Sequence, residues 1–136
     1  MSNATPPLEV VNELGRRFRQ GESAGALALL HPEFRIQQPV SLPHGGWHEG
    51  PQGMGEMAAT FARYWDRVIG NATVHGCGEL VVQVTTQTWT AKANGRSATV
   101  DVVELFTVSD GLIREIRVFQ QDTHLLMATL ANDQPA

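Results

Sequence analysis

Glu104 interrupts an apolar row, Ala98, Val100, Val102, Phe106 and Val108, which runs at the two-residue spacing of a β-strand. A carboxylate in that row faces the interior, where an isolated charge is so costly that it must be paired, protonated or held in a pocket. Two turns define its neighbours. Asp110-Gly111 joins the row to a second β-like run from Leu112 to Gln121, and this dipeptide between strands is a strong hairpin signal. Counted from a two-residue loop, Ser109 opposes Leu112, Phe106 opposes Glu115 and Glu104 opposes Arg117. The same count about Asn94-Gly95 sets Trp89 against Val100, Gln87 against Val102 and Thr85 against Glu104. Opposed residues share a face, so one surface gathers Thr85, Gln87, Trp89, Val102, Glu104, Phe106, Arg117 and Phe119. Large apolar groups with sparse polar ones make a ligand-pocket wall. A buried Glu104 and Arg117 ion pair that does no chemistry is the alternative.

The elements that must hold this surface follow along the chain. Thr5-Pro6 opens a first helix with Leu8, Val11, Leu14 and Phe18 at helical spacing, ending at Gln20-Gly21. Ser23 caps a short second helix through Leu30, which Pro32 terminates. Phe34, Ile36 and Gln38 then share one face of a strand, so Gln38 is a further polar group aimed inward. Residues 41–50 form a Gly- and Pro-rich loop, and Met54, Met57, Phe61, Trp65 and Val68 mark a third helix. Strands are expected at about 72–78, 79–92, 96–108 and 112–121, with a last short helix from Thr123 to Leu130. Helices followed by hairpin-linked strands give an α+β domain with helices on one face of an antiparallel sheet. The other face, with Val82, Val84, Val103, Leu105, Ile116 and Val118, is too apolar to leave bare, and a second copy of the chain is the simplest cover, making a homodimer.

Length allows a single domain over 1–136 with an ordered core of about 5–131. Net charge is −4 and the ten Lys and Arg are scattered, so no basic footprint for nucleic acid or anionic membrane exists. The lone Cys77 suits a reducing compartment, and neither a signal peptide nor a membrane span is legible, which places the protein in the cytoplasm. His44 and His48 have a spacing seen in metal sites, but a glycine loop does not aim both rings together, so no metal or other cofactor is expected. His44 and Trp47 instead rim the cavity mouth, while Met54, Met57, Phe61 and Trp65 read as core stripe first and cavity lining second.

The order helix, Gly21, short helix, inward strand, Gly-Gly-Trp-His-Glu-Gly loop, Met-rich helix, then Val-Asp-Val-Val-Glu-Leu-Phe-Thr-Val-Ser-Asp-Gly-Leu-Ile resembles the nuclear transport factor 2-like superfamily, and within it the SnoaL-like and ketosteroid isomerase-like proteins. The resemblance spans nearly the whole chain. It implies a cystatin-like curved sheet wrapped by helices into a cone with an internal apolar cavity, found as a dimer. By the same resemblance Glu104 matches the protonated acid of the steroid isomerases, whereas Gln38 stands where their general-base aspartate does and Leu14 where their tyrosine does. Steroid-type isomerisation is thereby disfavoured. Asp122 resembles the aspartate base of SnoaL-like cyclases, and is also well placed to cap the last helix.

Three functions are left standing. One is acid–base catalysis such as isomerisation, cyclisation or dehydration of a small hydrophobic carbonyl compound, by Glu104, Asp122 or His44. Another is a ligand-binding protein in which Gln38, Gln87, Glu104 and Arg117 satisfy a bound polar group, with Trp47, Trp65, Trp89, Val102, Phe106 and Phe119 around it. The third is a dimeric interaction module with a filled cavity.

Overall fold

A computed structural model describes residues 5–131. Helix α1 (Pro7–Arg19) starts with prolines, carries Glu9 in its first turn and Arg16, Arg17 and Arg19 in its last, each charge suited to its end of the helix dipole. It buries Val10, Val11 and Leu14, while Leu8 and Phe18 remain exposed. Each such buried aliphatic side chain contributes roughly 1.5–3 kcal/mol. After α2 (Ser23–Leu27) comes β1 (Leu30–Gln38), which contains Pro32 rather than starting beyond it. A register slip between Leu30 and Arg35 lets the strand accommodate a residue that cannot donate to a ladder.

The Gly-rich loop is shorter than expected, since β2 (Gly46–Glu49) pairs antiparallel with β1. Helix α3 (Gly50–Tyr64) then ends one residue before Trp65, which turns to an extended conformation and opens β3 (Trp65–Cys77). Trp65 and Val68 therefore lie on a strand and not on the third helix. Strands β4 (Leu80–Ala91), β5 (Ser97–Ser109) and β6 (Leu112–Gln120) and helix α4 (Thr123–Ala128) complete the chain. The six strands form one open sheet in the order β2-β1-β6-β5-β4-β3, antiparallel except where β1 runs parallel to β6. Bulges in β3 and β6 strengthen its twist. Helices cover one face, and the core lies between, with Phe34, Trp65, Trp89, Ile113, Ile116 and Leu126 almost fully buried. Cys77 is exposed on the edge strand β3.

Asp110 and Gly111 both take positive φ, 54° and 75°, as a two-residue hairpin loop of type I′ requires, and Ser109 opposes Leu112. Beyond that the ladder slips. Val108 pairs with Ile113 but Thr107 pairs with Glu115, so Arg114 is an extra residue and every later partner moves by one. Glu104 then opposes Val118, and Arg117 opposes Leu105. Because faces alternate, the slip turns Ile116 and Val118 inward and puts Arg117 and Phe119 on the outer face. The expected Glu104 and Arg117 pair does not exist. At the other hairpin Thr90 pairs with Ser97, a shift of two residues, so faces are preserved: Gln83 opposes Glu104, Thr85 opposes Val102 and Gln87 opposes Val100.

Candidate functional site

Three buried polar atoms lack a hydrogen-bond partner among the described residues: Gln38 Oε1, His44 Nδ1 and Gln120 Oε1. All three residues line one cavity of about 210 Å³, together with Met57, Ala58, Phe61, Arg67, Gln87, Trp89, Val102, Glu104 and Val118. Orphaned polar atoms are rare in folded proteins because each one forfeits hydrogen bonds to water. Their convergence on one hollow is what a site open to a polar ligand needs.

The elements explain how each group arrives there. Gln38 ends β1 on the face of Phe34 and Ile36, and its Nε2 donates to Met57 Sδ at 3.4 Å, which leaves the carbonyl oxygen unspent. Gln120 ends β6 two residues beyond Val118, so the Arg114 bulge that expels Arg117 also delivers Gln120. His44 sits on a tight loop closed by Leu42 N donating to Pro39 O and Gly45 N to Leu42 O. Position 45 must be glycine, because a Cβ there would stand 2.4 Å from the Pro39 carbonyl oxygen. The neighbouring His48 donates from Nε2 to the His44 carbonyl at 2.8 Å, pinning the loop onto β2.

His44 is 4 % exposed and lies among Phe61, Trp65 and Trp89, with ring centroids 5.4, 6.2 and 5.9 Å away. Burial, aided by the charges of His48 and Arg67, lowers its pKa to about 4. The ring is neutral at physiological pH and presents an unpaired nitrogen. Glu104 is half-buried on β5, lines the cavity, and accepts from Gln83 Nε2 at 3.2 Å. Burial pushes its carboxyl above the ordinary range, while the Gln83 hydrogen bond and the Arg67 charge pull the other way. The β4 groups are settled: Trp89 Nε1 donates to Gln87 Oε1 at 2.9 Å and Gln87 Nε2 to Thr85 Oγ1 at 2.9 Å. They form a fixed floor.

Of the residues singled out from sequence, Gln38, His44, Gln87, Trp89, Val102 and Glu104 meet at this cavity. Trp65 stands behind His44 with its indole N–H donating to Thr129 Oγ1, and Phe106 is buried in the core without reaching the hollow. Four others lie elsewhere. Trp47 is exposed, opposite Gln37, under the Arg35 guanidinium at 4.1 Å. Arg117 and Phe119 stack on each other on the outer face. Asp122 caps α4, its carboxylate accepting from Leu125 N at 2.9 Å, and does not line the cavity. Sequence reasoning missed Arg67 and Gln120. Alternation of Trp65, Arg67 and Ile69 was the signal for Arg67, hidden because Trp65 also continued the helical stripe. Among the described residues no three His, Cys, Asp or Glu side chains converge to hold a metal ion, and no helix is long and apolar enough to cross a membrane.

The sequence profile of the SnoaL-like domain matches residues 11–116. No curated protein matches the chain. Among solved structures, a nuclear transport factor 2-like protein from Burkholderia thailandensis E264 is 18% identical, superposes with a TM-score of 0.87, and the match covers 94% of this chain and 99% of that one. TerC, co-crystallised with polyporic acid, gives 22% identity and a TM-score of 0.82 over 93% of this chain and 98% of its own. A provisionally named polyketide cyclase from Pseudomonas putida KT2440 gives 16% identity and 0.77 over 94% and 100%. At these identities the likeness is one of fold.

Proposed function

The chain belongs to the SnoaL-like domain family of the nuclear transport factor 2-like superfamily, and from that premise we propose that its cavity binds a small hydrophobic carbonyl compound and promotes acid–base chemistry on it, of isomerase or cyclase type. The observation that carries this reading is the meeting of Glu104, His44 and the free Gln38 and Gln120 oxygens in one hollow. Glu104, biased towards its neutral form, donates a hydrogen bond to the carbonyl oxygen and stabilises the enolate that forms when the adjacent carbon loses a proton. The unpaired His44 nitrogen takes that proton. A base with a pKa of about 4 is weak, so it serves only a carbon acid already activated, as between a carbonyl and either a second carbonyl or an aromatic ring. Asp122, spent on the helix cap, has no part in this scheme. The TerC and cyclase relatives, with polyporic acid and a polyketide in their names, support a small organic molecule as the occupant.

A second reading, non-catalytic binding in the same cavity, is favoured by the absence of the isomerase base and tyrosine, with Gln38 and Leu14 in their places. Deuterium uptake next to the carbonyl of 2-tetralone separates the two. Wild-type protein should speed the exchange above buffer, and Glu104→Gln should lower that rate by about a hundredfold while leaving affinity within about twofold. Binding without any acceleration supports the second reading, and absence of binding contradicts both. For the outer sheet face we propose a second copy of the chain as the cover, supported by half-buried Val82, Val84, Val103 and Leu105 beside exposed Phe119.

A further inference from the structure

Arg67 is the cavity residue with no role in the scheme above. It points from β3 to the same face as Trp89, its strand partner, and reaches the rim of the hollow. Its guanidinium lies over the Phe61 ring, 5.0 Å from the centroid. Among the described residues no carboxylate forms an ion pair with it, although five other cations, Arg16, Arg17, Arg35, Lys92 and Arg114, each have one. An arginine is never deprotonated in a protein, so its five donors and full charge persist at the mouth of the hollow. The facing titratable groups do not neutralise it. His44 is uncharged, His48 is committed to the His44 carbonyl, and Glu104, the carboxyl group whose charge Arg67 feels, makes no ion pair with it and is pushed by burial towards its neutral form.

Resting on the proposed small-molecule cavity, we propose that Arg67 is its anion anchor and that the ligand is a carbonyl compound bearing an anionic oxygen group, a carboxylate or an acidic enol. Several features fit that chemistry together. A planar guanidinium matches a carboxylate or delocalised enolate in two parallel hydrogen bonds. Phe61, which lines the same cavity, holds the guanidinium over its ring. Deeper in, the buried oxygens of Gln38 and Gln120 accept from hydroxyl groups, so the ligand enters with its anion outward at Arg67 and its hydroxyl-bearing end inward. The rim position also draws an anion from solution despite the negative charge of the whole chain.

The test compares 2-naphthoate with its uncharged methyl ester, following quenching of the Trp89 and Trp65 emission at about pH 7.5, where the acid is ionised. Wild-type protein should bind the carboxylate about tenfold tighter than the ester. Arg67→Gln should bring the two within about twofold of one another, and Arg67→Lys, which keeps the charge without the fork, should retain an intermediate preference. Equal affinities in the wild type, or an undiminished preference in Arg67→Gln, overturn the anchor and leave the cavity reading intact. Failure of both compounds to bind overturns both. Circular dichroism of each variant establishes that the fold is retained, as expected for a residue at an exposed rim.

Discussion

Position 104 and position 44 place two titratable groups in one hollow with opposite consequences for stability. Glu104 has a folded pKa above its ordinary 4.5, so between those values the folded state holds a proton that the unfolded chain releases. Its contribution is present below pH 4.5 and is lost as pH rises through the folded pKa. His44 has a folded pKa of about 4 against an ordinary 6.5, so the unfolded chain binds the extra proton and stability is lost as pH falls from 6.5 to 4. Within the His44 window of about pH 4.5 to 6.5, wild-type stability against urea should therefore show the two slopes partly cancelling as far up as the raised Glu104 pKa. Glu104→Gln should unmask the His44 slope, with stability rising with pH across that window, and His44→Gln should unmask the falling one. Unchanged profiles in both variants would mean that neither group is buried as described.

One residue of β6 decides which side chains reach the site. Glu104 was legible from sequence because its inward direction depends only on the alternation of β5, and the Asn94-Gly95 miscount did no harm because a shift of two preserves faces. The partner strand was misread because a bulge at Arg114 leaves no mark in hydrophobic alternation: Ile113, Ile116 and Val118 fit either face. Arg67 was lost for a related reason, since Trp65 satisfies a helical period and a strand period at once. Helix α1 and the Asp110-Gly111 hairpin were legible because helical spacing and turn chemistry act locally, whereas the expected Thr5 cap is replaced by Pro6 without a side-chain hydrogen bond and β2 takes up part of the Gly-rich loop. A pair of substitutions checks the register. Ile116→Asp should prevent folding or cost more than about 3 kcal/mol, while Arg117→Asp should stay within about 0.5 kcal/mol of wild type. Without the bulge the outcomes would be exchanged.

At the scale of the molecule, the sheet presents a packed face and a face that its own helices leave uncovered. The inward turn of Ile116 and Val118 reduces the apolar outer surface and adds Arg117 to it, but Val82, Val84, Val103, Leu105 and Phe119 remain as a contiguous patch across β4, β5 and β6. Sedimentation should give a dimer for the wild type and a folded monomer for Leu105→Glu combined with Phe119→Glu; a wild-type monomer would contradict the proposed cover. The cavity itself is built within the single chain by β1, the loop carrying His44, α3 and the β3–β6 strands.

The proposed chemistry needs a carboxyl group held in that cavity with a raised pKa, and carbon NMR titration of the Glu104 side chain measures it directly. We expect an apparent pKa above the ordinary 4.5, moving further when an uncharged carbonyl ligand such as 2-tetralone excludes water from the hollow. A Glu104 that titrates near 4 and ignores the ligand would contradict it.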